Sequence, residues 1–321
     1  MLNTRELILK TKPFEQEDSK KTWRLLITVL ALLFMALAGT TIKGHVIVRI
    51  AFSLCVSLLL VRIFIFYHDF HHNAIFAKSK PGKWILNLYG VLVLTPPEAW
   101  SSTHNYHHDN NCKFTDVSLD FFNISVGYYP TLTKKQFHES SPRVRRRYRM
   151  ARNPLIILLA YIPIFLMGMC LVPFLKDPRR HFLSFIAILL HGMIIYAISL
   201  LGWDYVIFSL VLPLSITSML GSYIFYAQHN YPSIKLKPND QWDYGFAAVN
   251  SSSFMDVNKL LHWFSGNIGY HHVHHVNSSI PFYRLPETMA AIPELQNPGR
   301  INLTPVSIFK CLRLKLWDEE Q

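Results

Sequence analysis

Pro154-Leu155-Ile156-Ile157-Leu158-Leu159-Ala160-Tyr161-Ile162-Pro163-Ile164-Phe165-Leu166-Met167-Gly168-Met169-Cys170-Leu171-Val172-Pro173-Phe174-Leu175 is apolar and long enough to cross a bilayer. Whether it crosses decides on which side everything after it lies. Two features say that it does not. Pro163 and Pro173 interrupt the run, and each removes a helix hydrogen bond. Cationic residues flank it on both sides: Arg143, Arg145, Arg146, Arg147, Arg149 and Arg152 before it, Lys176, Arg179 and Arg180 after it. Positive charge marks the cytosolic face at each flank, so both ends belong to the same side. Residues 154–175 therefore read as an embedded hairpin, re-entrant or interfacial.

Four other runs read as spans: residues 23–42, 46–67, 182–201 and 205–227. The first pair is joined by the tight turn Lys43-Gly44-His45, the second by Gly202-Trp203-Asp204, which lacks Lys and Arg as an outer loop should. Residues 84–94 are apolar but too short to span and stop at Thr95-Pro96-Pro97, so a re-entrant or interfacial helix is expected. Ala36-Leu37-Ala38-Gly39 resembles a signal-peptidase site. The run around it is longer than a signal core and follows a long polar segment, which favours a retained span. The expected class is an all-α integral membrane protein, a single domain over residues 1–321. It has four transmembrane helices, both termini in the cytosol, and a cytosolic helical cap.

Composition agrees. Half of the 321 residues are apolar and the mean hydropathy is +0.19. The net charge of +12 would suggest nucleic-acid binding in a soluble protein, but here the cations sit beside apolar runs. The basic run 133–152 reads as a solvated segment against anionic headgroups. Cys55, Cys112, Cys170 and Cys311 are isolated, so neither a disulfide framework nor a thiolate metal site is indicated.

The chemistry lies in the histidines. His271, His274 and His275 stand at i, i+3 and i+4, which places three imidazoles together on a helix. His104, His107 and His108 repeat that spacing, and so do His68, His71 and His72. One helix face cannot complete a metal shell, so the three clusters must converge. Under the four-span reading all of them fall on one side. Eight or nine imidazoles exceed the needs of one metal, and two metals with open positions fit better. Nearby carboxylates are few, Asp69, Asp109 and Asp116, unlike the carboxylate-rich sites of soluble di-iron bundles. Asp69 is placed to orient His68 through its second ring nitrogen.

These residues resemble a known family. His68-Asp69-Phe70-His71-His72 is similar to the first histidine box of membrane fatty acid desaturases, and His104 to His108 is similar to the second. His271 to His275, followed by Pro281-Phe282-Tyr283, resembles the third box and its continuation. Tyr226-Ala227-Gln228-His229 resembles the Gln-His that follows the last span in that family. The likeness covers most of the chain in order and is nearest to bacterial acyl-lipid desaturases of the delta-12 type. It implies an O2-dependent enzyme with two iron ions that introduces a double bond into an acyl chain. Carried over, the ligands are His68, His72, His104, His107, His108, His271, His274 and His275, with His229 as the ninth. Asn267 is implied as a residue behind the metals that holds a water. His71 and His272 depart from the family pattern and are expected to stand aside, as are His45, His138, His181 and His191; His262 is left open.

The resemblance also implies a fatty acyl lipid substrate and a separate electron donor of ferredoxin or cytochrome b type, because the chain carries no haem or iron–sulfur motif of its own. Localisation is expected in the bacterial inner membrane. Two alternatives remain at the level of sequence. A lipid hydroxylase or carotenoid ketolase would share the boxes. A histidine-rich metal transporter would instead carry ligands within its spans near mid-membrane, whereas these lie beyond the span ends.

Overall fold

A computed structural model describes residues 3–114, 129 and 131–318; Asp116 lies outside them. Among the described residues, four helices are long and apolar enough to cross a membrane: Ser19–Gly39, Val46–His71, Phe182–Ser199 and Trp203–Ala227. The first starts four residues earlier than hydropathy marks. Asp18 caps it by accepting from the Lys21 N–H, so Lys20 and Lys21 belong to its first turn. The second runs past the apolar segment by one turn and carries His68 and His71 on its end.

The helices form two antiparallel hairpins whose tips meet at one end of the molecule. Arg49 is the link. Its Nε donates to the Thr40 carbonyl at 2.6 Å and its guanidinium pairs with Asp204 at 2.7 Å. Thr40 and Ser209 share a hydroxyl hydrogen bond of 2.6 Å beside it. A charged side chain facing lipid costs about 2.5 kcal/mol or more at mid-bilayer. Arg49 meets this cost by burial among protein partners near a helix end. At the opposite end Arg62 is also buried, donating to the Trp263 carbonyl and lying over the Trp263 ring at 4.1 Å. That contact ties the cap to the second span.

Residues 154–175 form a short helix, Pro154–Leu158, a break at Leu159, then a π-helical stretch, Tyr161–Leu171, running on into Val172–Lys176. This differs from a hairpin of two plain arms; Pro163 and Pro173 are absorbed in wide turns and a helix start rather than ending the element. Its start lies beside the end of the fourth span, where Arg152 bonds Asn230. Tyr161 bonds His191, midway along the third span, and Ser184 at that span's start bonds the Met169 carbonyl. The stretch thus runs inward and back toward the histidine-bearing end. The helix Lys80–Leu92 is 13 residues, about 20 Å, and the chain turns out of it at Leu94, which has φ 61°. Tyr67 donates to the Thr95 carbonyl at 2.6 Å and so fixes the turn into the next helix, Pro97–Asp109.

The cap is built from short helices and a two-stranded parallel sheet pairing Ser253–Met255 with Gly299–Ile301. The polar N-terminal segment wraps it. Leu7 and Thr11 are buried, Asn277 donates to Thr11 and Glu15, and Glu17 accepts from the Phe76 N–H.

Candidate metal centre

Two span ends and two short helices supply the site. Pro97 opens the Pro97–Asp109 helix, where a missing N–H costs nothing. His104 and His108, one turn apart, face one way, and His107 faces the other. The helix His271–Val276 repeats this with the roles reversed, His271 and His275 facing one way and His274 the other. It is launched by a left-handed pair, Gly266 at φ 53° and Asn267 at φ 57°. A side chain on Gly266 would meet Ile65 at 2.8 Å, so glycine is required there twice over.

The nine histidines fall into two groups. His68, His72, His104, His108 and His274 form one; His107, His229, His271 and His275 form the other; within each, the candidate ligand atoms lie within 4.8 Å of one another. In the first, Nε2 of His104 stands 2.9 Å from that of His72 and 3.2 Å from that of His108, and Nε2 of His274 is 3.1 Å from that of His108. In the second, the distances are 2.8 Å for His229 to His271, 3.0 Å for His275 to His271 and 3.1 Å for His107 to His275. The groups adjoin: the rings of His108 and His275 stack at 4.4 Å.

Protons alone do not satisfy this arrangement. Burial, reinforced by neighbouring imidazoles, holds His72, His104, His107, His108, His271, His274 and His275 well below the usual imidazole range. His229 is brought to about 4 by burial, partly offset by its bond to Ser251. Neutral rings carry one N–H each. The Nδ1 atoms of His104, His108, His271, His274 and His275 are buried without hydrogen-bond partners, and their Nε2 lone pairs converge. A cation within each group would be bound by the converging Nε2 lone pairs, with the single proton of each neutral ring on Nδ1, and neutral imidazole is the state that binds one. The donor set therefore fits two metal ions.

The supports lie behind the rings. His68 Nδ1 meets Asp69 Oδ1 at 3.0 Å, and the other Asp69 oxygen accepts from the Phe282 N–H at 2.7 Å. Asn267 donates to the Phe282 carbonyl at 3.2 Å. His229 Nδ1 donates to the Ser251 carbonyl at 3.0 Å. His71 and His272 face away from both groups. His71 bonds Ser101 at 2.9 Å, and His272 bonds the Leu295 carbonyl at 3.0 Å. His262 lies over the Phe254 ring, and His191 bonds Tyr161 far from the centre.

An apolar cavity opens beside the centre, between the second and fourth spans and the two embedded segments. Val61, Phe64, Tyr89, Val93, Phe165, Met169 and Leu214 line it. Trp100 and Phe225 stand at its inner end: Trp100 stacks on His104 at 4.6 Å, and Phe225 lies 4.8 Å from the His107 ring. Sequence reasoning did not single out Trp100, Phe225 or Ser251. Their roles come from contacts far apart in the chain; the small residues Thr217, Ser218, Gly221 and Ser222 within an apolar span are the sequence signal that could have pointed to a cavity wall.

A family model described as fatty acid desaturase matches residues 44–304. The chain belongs to the fatty acid desaturase family. It is 29% identical to a fatty acid desaturase of Bacillus subtilis (strain 168), over 98% of this chain and 88% of that one. It is 23% identical to the sn-1 oleoyl-lipid 12-desaturase of Synechocystis sp. (strain ATCC 27184 / PCC 6803 / Kazusa), over 91% of this chain and 82% of that one. An sn-1 acyl-lipid omega-3 desaturase (ferredoxin) of the same source is 23% identical over 75% of this chain and 66% of that one. The two histidine groups are thus the candidate metal centre of a fatty acid desaturase, and the four apolar helices are its membrane anchor.

Proposed function

We propose that this desaturase uses O2 and two iron ions to introduce a double bond into the acyl chain of a membrane lipid, drawing electrons from a separate carrier of ferredoxin or cytochrome b type. The observation that carries the reading is the junction of two imidazole groups with an apolar cavity that ends against them. His68, His72, His104, His108 and His274 would hold one iron, and His107, His229, His271 and His275 the other. When bound, the pair would supply the oxidising power that an unactivated C–H bond requires, with O2 as the oxidant.

The chain's own residues do the rest. The cavity replaces water around the acyl chain with apolar side chains and excludes solvent from the reacting carbons. Trp100 and Phe225 press from the cavity onto His104 and His107, so an acyl chain lying against them is held beside both groups. Asp69 and the Ser251 carbonyl fix the ring orientation of His68 and His229. Asp69 and Asn267 both bond the backbone of Phe282 and so latch the loop after the third box to the first; Asn267 is assigned to the support of the metals from behind. The cap, the centre and both termini lie in the cytosol on this reading, in a bacterial inner membrane.

Expression in a desaturase-deficient host followed by lipid analysis tests the function. New monounsaturated or diunsaturated acyl chains are expected, and purified active enzyme should carry two irons per chain. Hydroxylated acyl chains without new double bonds would overturn the reaction assigned. Active enzyme holding zinc and no iron would overturn the metal.

A further inference from the structure

The helix Pro142–Ala151 has the sequence Pro-Arg-Val-Arg-Arg-Arg-Tyr-Arg-Met-Ala and holds no carboxylate. Arg143, Arg146 and Arg149 are exposed and recur every three residues, so they share one flank. The opposite side is locked inward. Tyr148 is buried with Leu132 and Phe137, and its hydroxyl donates to the Lys315 carbonyl. The helix ends in Arg152, itself 1% exposed. Arg152 donates to Asn230 Oδ1 at 2.6 Å and to Thr131 at 3.0 Å, and Asn230 is the residue after His229. Beside this junction a polar cleft is walled by Arg152, Asn230, Lys315 and Trp317, and His229 forms part of its lining.

We infer that the exposed arginine flank of this helix, with the adjoining cleft, is the docking surface for an acidic one-electron carrier protein that delivers electrons toward the His229 group. This rests on the oxygen-dependent reading above. Reducing one O2 to two waters takes four electrons and four protons. Removing two hydrogens from the acyl chain supplies two of each, so a reduced carrier must bring two electrons, one per visit, while solvent brings two protons. Three observations favour a protein partner over lipid headgroups. The helix has no apolar face turned outward, because Val144 and Tyr148 pack inward and Met150 is its one exposed large apolar residue; a helix lying in the interface needs such a face. The flank is held rigid by the Tyr148 and Arg152 bonds, as a docking platform requires. The helix that carries the flank ends at Arg152, and from there a candidate ligand is one hydrogen bond and one residue away, through Asn230 to His229.

The test is the triple reversal Arg143→Glu/Arg146→Glu/Arg149→Glu in the full-length enzyme, with a reduced acidic plant-type ferredoxin as probe. Binding of ferredoxin, measured without turnover, should weaken roughly tenfold or more, and wild-type binding should fall steeply with salt. Iron content and turnover with a small-molecule reductant should stay at wild-type levels. Single reversals at each arginine give the same reading if the triple variant does not fold. Unchanged ferredoxin binding overturns the proposal, as does equal loss of turnover with both donors. So does loss of dependence on anionic vesicles with ferredoxin binding intact, which would make the flank a headgroup surface. Ferredoxin that binds wild type in an arginine-dependent way without any desaturation would instead count against the oxygen-dependent reading.

Discussion

At the scale of single residues, neighbouring histidines of identical chemistry have different fates. His71 and His72 are adjacent, yet only His72 enters a metal-binding group; a helix turns about 100° per residue, and that carries His71 to Ser101. His272 is likewise turned to the Leu295 carbonyl. His229→Ala is therefore expected to lower bound iron and abolish desaturation, because it removes one of four rings from its group. His71→Ala and His272→Ala should keep their iron, although activity can still fall by roughly 10- to 100-fold if these rings support the site from behind. Iron content of the purified variants decides it: full iron in His229→Ala, or loss of iron in His71→Ala, sinks the assignment. Spacing and resemblance had singled out the same nine histidines that the fold gathers. Their division into five and four was not legible, because it depends on how separate helices are rotated against one another. The Ser251 carbonyl was invisible for the same reason, since a backbone acceptor carries no mark in sequence.

Elements show where hydropathy suffices and where it does not. The four long helices were readable because apolar length is a local property, and their ends moved by only a few residues. The π-helical stretches Tyr161–Leu171 and Ile207–Val211 were not, since π geometry has no simple sequence signal. Neither was the wrapping of the N-terminal segment, which looked like polar surface and instead buries Leu7 and Thr11. Two predictions belong at this scale. Gly266→Ala must hold a methyl at φ 53° against Ile65, a conformation costing about 1–2 kcal/mol before the clash is counted. Lower thermal stability and reduced iron are expected, and a variant with wild-type melting and iron would contradict the role given to this turn. Gly221 lines the apolar cavity, and a Cβ there meets open space. It lies one turn, about 6 Å, from Phe225 along the helix. Gly221→Leu should fold normally, bind iron, and shift the product profile toward shorter acyl chains. Chromatography of the lipid products reads this directly, and an unchanged chain-length profile would remove the cavity as the acyl site.

The whole molecule is organised by its two ends. Arg49 joins both hairpin tips through Thr40 and Asp204, so the turns at residues 40–45 and 200–204 lie together. All nine candidate ligands lie at the other end, where the second span finishes at His71 and the fourth at Ala227. Residues 154–175 begin beside Asn230 and lead into the start of the third span, so both of their ends also meet the histidine-bearing end. An odd number of crossings would separate these features. An even number keeps them together, and the cationic flanks are the reason for proposing that their side is the cytosol. Single cysteines at Glu139, Asp177 and Leu201, in a background lacking Cys55, Cys112, Cys170 and Cys311, test this with a membrane-impermeant thiol reagent in oriented vesicles. All three positions have room for the reagent: Glu139 and Asp177 are exposed, and Leu201 is 74% exposed. Glu139 and Asp177 should label from the cytosolic face alone, and Leu201 from the opposite face alone. Opposite labelling of Glu139 and Asp177 would mean that residues 154–175 cross the bilayer. The third and fourth spans would then be inverted, His229 and the third box would be carried away from the first two, and the candidate two-metal centre would lose four of its nine rings.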